Sequence, residues 1–248
     1  MKEEEIKYLA GLLDADGSLS IRSVKSVRST GKQYAQLRLS LFASHSIDRH
    51  GYIKNLSSMF GSVFEDQRGC HWNVSKRSDL NMLIPRLVKH MVIKGAHWKR
   101  LFDRYSNLQG QPLSDEEAIE LREFSNLSRK NTGPVKPKNH PTKAWVAGYL
   151  DGDGCYLMRK SSKNNHVQMS IDVAAHVDDT VGIEFLQKAF GGHINKMTDC
   201  NAMRWKRNLG VRDRGFAEEF LRNCHRHSRL KKWKIEQMLN FHRTSRND

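Results

Sequence analysis

The chain has 248 residues, with 42 lysines plus arginines against 27 aspartates plus glutamates, a formal charge of +15. Apolar residues make up 38% and glycine adds 17 more positions, an ordinary share for a packed protein that excludes a disordered or collagen-like chain. No stretch approaches the roughly 18 apolar residues of a membrane span, and MKEEEIKYLAG places acid where a secretory signal carries base.

The first predicted helix runs from about Lys2 to Asp14, with Ile6, Leu9, Ala10 and Leu13 at helical spacing. It ends in an acidic turn, YLAGLLDADGSL (8–19). A strand is predicted over Ser18–Val27, a turn near Thr30-Gly31, and a second strand over Tyr34–Phe42. In that strand Ala35, Leu37, Leu39 and Leu41 alternate with Gln36, Arg38 and Ser40, so one face is core and the other polar. Further along, Ser114 and Glu117 form a capping box that starts a helix to about Leu127. RKNTGPVKPKNHP then reads as a linker.

After the linker the pattern returns. WVAGYLDGDGCYL (145–157) repeats the acidic turn, with Asp16 and Asp153 137 positions apart. LSLFASHSID (39–48) resembles MSIDVAAHVD (169–178) at an offset of 130. NLSSMFGS (55–62) resembles FLQKAFGG (185–192), and NVSKRSDLNMLI (73–84) can be laid on GVRDRGFAEEFL (210–221). Two copies of one α-β-β-α-β-β-α unit follow, one over residues 1–108, one over 142–248, with a helix and Pro-rich linker over 109–141. Each copy is basic, by +8 and +7, while the connector is neutral. So much positive charge is self-repulsive unless a polyanion offsets it, and nucleic acid is the usual one. The polar strand faces, Gln36, Arg38 and Ser40 with Gln168, Ser170 and Asp172, suit base edges in a groove; Arg22 and Lys206 join the expected contacts.

Cys70, Cys155, Cys200 and Cys224 form no C-x-x-C pair. That spacing argues against zinc and against a disulfide framework, and for an intracellular location, cytoplasm or organelle matrix. Trp72, Trp98, Trp145, Trp205 and Trp233, with Met158, Met169 and Met203, read as packing residues. The small residues Ala10 and Gly11, matched by Ala147 and Gly148, permit close helix packing at an interface between the repeats. Gly17 and Gly154 are expected to end their helices in the left-handed conformation.

Asp14 and Asp16, and again Asp151 and Asp153, crowd helix C-termini, where the dipole disfavours anions by up to about 1 kcal/mol each. Divalent cations would compensate, and hard oxygen ligands point to magnesium. Metal beside carboxylates under a basic surface suggests phosphodiester hydrolysis.

LAGLLDADG (9–17) and VAGYLDGDG (146–154) resemble the motif of the LAGLIDADG homing endonucleases, and the two-repeat arrangement resembles the single-chain members over about residues 4–240. The resemblance implies an α/β (α+β) fold of two pseudo-symmetric units. Each unit would present a four-stranded, saddle-shaped antiparallel sheet to the major groove of double-stranded DNA. It implies a monomer that cuts both strands and leaves four-base 3′ overhangs. By the same resemblance Asp16 and Asp153 bind two or three Mg2+ ions per double active site, helped by the carbonyls of Ala15 and Gly152. Asp14 and Asp151 would be structural. Lys94 and Lys231, also 137 apart, would act on the attacking water or the phosphate charge. His45 and Arg49 would position water and phosphate in the first repeat, their counterparts being Ala175 and Asp179. An intron maturase that binds its own RNA and a noncatalytic DNA-binding regulator are the alternatives on the same fold.

Overall fold

The computed structural model describes residues 1–26, 31–130, 141–160, 167–198 and 200–244, without the side chains of 126–130 and Val211. Val27, Thr30 and most of the expected Pro-rich linker lie outside these residues.

In chain order the first elements are α1 (Glu3–Asp16), β1 (Ser18–Lys25), β2 (Gln33–Ser44), α2 (Tyr52–Ser57), β3 (Ser62–Glu65) and β4 (Gly69–Val74). Then come α3 (Arg77–Val88), α4 (Gly95–Asn107), the short β5 (Pro112–Leu113) and α5 (Asp115–Lys130). The second set is α6 (Lys143–Gly152), β6 (Gly154–Lys160), β7 (Val167–His176), α7 (Val181–Phe190), β8 (His193–Lys196), β9 (Ala202–Asn208), α8 (Arg214–His227) and α9 (Lys232–Thr244). Helices and two antiparallel sheets give the mixed α/β class the sequence implied. Each set ends on a helix pair where one helix was expected. Pro85 sits inside α3 without ending it.

The chain forms two compact units, Met1–Ile6 with Asp16–His140, and Lys7–Ala15 with Pro141–Asp248. The first holds a sheet in the order β1-β2-β4-β3, with β5 paired to β2. Leu37, Leu39 and Leu41 are buried on one face of that sheet, where α4 packs on β1 and β2 and α2 on β3 and β4. The capping box at α5 is formed: Glu117 N donates to Ser114 Oγ at 3.1 Å, and Ser114 N donates to Glu117 Oε2 at 2.8 Å. The second unit holds the order β6-β7-β9-β8, with Met169, Ile171 and Val173 buried.

Each unit anchors its sheet with one tryptophan. Trp72 Nε1 donates to Phe60 O at 2.7 Å, and Trp205 Nε1 donates to Gly191 O at 2.8 Å. Trp72, Trp98, Trp145 and Trp205 are buried packing residues, as is Met169. Met158 is instead 43% exposed, near the end of β6, although the register pairs it with the buried Met169.

The tryptophans also fix how the repeats correspond. Leu41 pairs with Trp72 and Val173 with Trp205. The second strands therefore align at an offset of 132, the difference between Leu41 and Val173, and not at 130. Ser40 matches Asp172, and His45 falls opposite Val177 in place of Ala175. Among the described residues, no helix is long and apolar enough to cross a membrane.

Candidate active site and nucleic-acid interface

Helical phase separates the two aspartates of each motif. Asp14 lies one turn beyond Ala10 and is 3% exposed; Asp16, the last residue of α1, is exposed. Asp151 is 1% exposed, while Asp153, at the C-cap of α6, faces solvent.

The buried pair is structural. Within the second unit, residues 7–15 pack on α6 through reciprocal bonds. Tyr8 Oη donates to Asp151 at 2.7 Å, and Trp145 Nε1 donates to Asp14 at 2.9 Å. Tyr8 and Trp145 are themselves 137 residues apart. The backbones come close enough that a Cβ on Gly11 would lie 2.0 Å from Trp145 O, and one on Gly148 2.0 Å from Tyr8 O. Ala10 and Ala147 are fully buried beside them. The small-residue stripe therefore serves close helix approach.

Asp151 also shapes the chain before α9. It accepts from Ser228 Oγ and from the backbone N–H groups of Arg229, Leu230 and Lys231, at 2.8 to 3.2 Å. Burial pushes the nearby Cys224 thiol up to about 12 and the Tyr156 phenol well above its ordinary value, so neither adds charge beside it. Asp151→Ala is expected to destabilise the second unit by about 3 kcal/mol or more, because several buried donors lose their acceptor. Denaturant unfolding of the purified variant measures this.

That shaped segment delivers Lys231. Its Nζ donates to Leu150 O at 3.2 Å and to Gly152 O and Gly154 O at 2.6 Å. An ammonium has three protons, and three carbonyls at the end of α6 take them. Lys231 thus supplies, from the chain itself, part of the positive charge that the crowded carboxylates call for. Lys94 takes the matching place in the first unit, just before α4, and donates to Gly17 O at 3.0 Å. Gly154 does not adopt the left-handed conformation expected of it. It is glycine because a Cβ would lie 2.4 Å from Leu150 O.

Each turn offers an exposed carboxylate and neighbouring carbonyls, an oxygen-only set that fits a hard divalent ion such as Mg2+ or Ca2+ and not a soft one. Gly152 O already accepts from Lys231 and keeps its second lone pair. Ala15 stands in the matching position before Asp16.

The open face of the first sheet carries the expected contact residues. Arg22 donates to Gln36 Oε1 at 2.9 and 3.1 Å; Arg38 and Ser40 donate to Asn73 Oδ1 at 2.7 to 3.0 Å. His45 and Arg49 are exposed beyond β2, bonded to Asp66 O and Ser46 O. In the second unit a groove of about 780 Å³ opens over the sheet, lined by Arg159, Gln168, Ser170, Asp172, Arg204 and Lys206 among others. Ser170 and Asp172 are buried at its floor. Ser170 donates to Asp172, and Arg204 lies 3.9 Å from it, so the acid orients the arginine. The sequence reading did not single out Asn73, His71, Arg204, Phe42 or Phe64. Phe42 continues the polar face of β2, and the signal of the other four was strand alternation in β4, β9 and β3, which are short.

Residues 9–99 match the family described as LAGLIDADG endonuclease. No curated protein matches the chain. Among solved structures, meganuclease I-SmaMI bound to uncleaveable DNA with a TTCT central four matches with a TM-score of 0.71 and 18% identity, over 98% of this chain and 92% of that one. I-SmaMI bound to an uncleaved DNA target in the presence of calcium ions matches at 0.69 and 16%, over 98% and 92%. The LAGLIDADG homing endonuclease I-GzeII in complex with its DNA target matches at 0.60 and 17%, over 86% and 87%. At these identities the likeness is one of fold, and it extends the resemblance over both repeats.

Proposed function

We propose that this chain, a LAGLIDADG endonuclease by its first repeat and by its fold, is a single-chain homing endonuclease that binds a long DNA target as a monomer and hydrolyses both strands. The observation that carries the reading is a turn built twice: an exposed Asp16 or Asp153 at a helix end, with Lys94 or Lys231 on the adjoining carbonyls. Each turn stands at the start of a strand whose sheet opens onto a polar, largely basic face. A metalless regulator would have no use for two solvent-facing acids beside a polyanion.

In this reading Asp16 and Asp153, with the carbonyls of Ala15 and Gly152, hold Mg2+. Bound there, the ion supplies Lewis-acid stabilisation of phosphate charge and a more acidic water. Lys231 and Lys94 hold the turn carbonyls in place and add positive potential where phosphate charge develops. The sheet faces read bases, with Arg22, Gln36, Arg38 and Ser40 in one half and Gln168, Arg204 and Lys206 in the other. His45 and Arg49 stand ready for phosphate or water in the first half alone, so the two strands meet unlike surroundings. A reducing intracellular compartment suits the free cysteines.

The test is incubation of the protein with a pooled random duplex library and Mg2+, followed by end mapping. Paired cuts with four-base 3′ overhangs at one enriched sequence are expected; an uncut library that the protein nonetheless binds selects the regulator. Binding to the enriched duplex should weaken steeply with salt, with a log–log slope of magnitude at least about 4 as both faces release counterions. A slope near 1 in a filter or fluorescence titration refutes a two-face contact.

A further inference from the structure

The open face of the first sheet changes character along its length. Arg22, Gln36, Arg38 and Ser40 are polar; beyond them Phe42 is 38% exposed and Phe64 63% exposed, both on that same face. The register places His71 opposite both. Its ring centroid lies 4.6 Å from Phe42 and 5.9 Å from Phe64. His71 Nε2 is engaged by the Asp66 carboxylate at 3.1 Å, so toward the phenylalanines the imidazole packs as a ring. The three side chains form one aromatic ridge across β2, β4 and β3. Along β2 it lies toward the Asp16 end, because Ser18 pairs with Ser40 and Phe42 is two residues further on.

Exposed phenylalanines on a face built for polar contact need an apolar partner. A B-form duplex hides the faces of its bases, so stacking is closed to the ridge. The major groove offers one apolar group, the C5-methyl of thymine. The second unit lacks the ridge. The register places Ala174 where the first has Phe42, Arg204 where it has His71, and Asn195 where it has Phe64. Arg204 and Asn195 offer hydrogen bonds where Ala174 leaves room for them, and an arginine suits guanine.

We infer that the two halves of the target differ in kind: Phe42, His71 and Phe64 select thymine methyls in the half bound by the first unit, while Arg204 and Asn195 read hydrogen-bonding edges in the other. This rests on the DNA-binding reading above and adds what one half of that DNA must contain.

The experiment enriches a duplex from a random pool, then replaces dT by dU, one half at a time. The change removes only the methyl. In the half that depends on the ridge, dU should weaken binding about four- to fifteenfold, the scale of one or two buried methyls. In the other half it should have no effect. Phe42→Ala combined with Phe64→Ala should bind the dT and dU duplexes alike, with circular dichroism showing that the double variant folds. Equal binding of dT and dU duplexes by the unaltered protein overturns the inference while leaving DNA binding intact. So does a double variant that still tells them apart. A pool from which nothing is enriched overturns the DNA-binding reading as well.

Discussion

Asp16→Asn and Asp153→Asn should each lower double-strand cleavage by at least about a hundredfold while leaving target binding intact, the scale for a lost metal ligand. Asparagine keeps the size of aspartate and removes the negative charge that would hold the ion. Both side chains face solvent at helix ends, so folding should survive, and removal of an anion from a helix C-terminus relieves up to about 1 kcal/mol. The residues proposed to read bases lie on the sheets, and the substitutions leave their side chains unchanged. The assay is a supercoiled plasmid carrying the enriched target, incubated with Mg2+ and resolved into supercoiled, nicked and linear forms. Linearisation at the full rate by either variant removes that aspartate from the chemistry. Asp14→Asn is the informative contrast, since that carboxylate accepts from Trp145 inside the fold and its loss should register in stability first.

Gly148→Ala should destabilise the second unit by about 3 kcal/mol or more, the upper end of overpacking costs. The added Cβ would lie 2.0 Å from Tyr8 O and 2.9 Å from Leu12 N. Backbone atoms cannot turn aside as a side chain can, so residues 7–15 would have to move off α6, loosening the Tyr8–Asp151 and Trp145–Asp14 bonds with them. Gly11→Ala makes the same demand on Trp145 and should cost a similar amount. Chemical denaturation followed by intrinsic fluorescence reports it, because Trp145 is buried at the contact. A shift below about 1 kcal/mol for both variants would mean that the close approach is not maintained in solution.

The acidic turns were legible because each is a local motif that occurs twice; the family resemblance separated the two aspartates of each turn, and the structure supplies the reason, since Asp14 falls on the buried stripe of Ala10 and Asp16 falls off it. The sheet faces were legible for the same reason, through period-two alternation. The correspondence of the second strands was not. A slip of two residues leaves every side chain on the face it had, so alternation is blind to it, and Trp72 and Trp205 had to fix the register. The engagement of Lys231 with three carbonyls was equally hidden. It depends on Asp151 folding residues 228–231 back over the end of α6, a contact between residues about eighty apart in the chain. The aromatic ridge escaped because its members come from three strands, and one phenylalanine in a short strand looks like any core residue.

The second unit is discontinuous in sequence: residues 7–15 belong with 141–248. During synthesis, Tyr8 must therefore wait for Asp151, 143 residues later. At 5–20 residues per second that delay is about 7 to 30 s. Throughout it residues 7–15, with Tyr8 and Leu12 fully or almost fully buried at the end, lack the α6 backbone on which they pack. The nascent chain thus carries an unpartnered segment over that interval, and chaperone demand should be set by that segment, not by the sheets that form between it and α6. A C-terminal fragment made without residues 7–15 should, by the same reasoning, need them added back as a peptide before it becomes soluble.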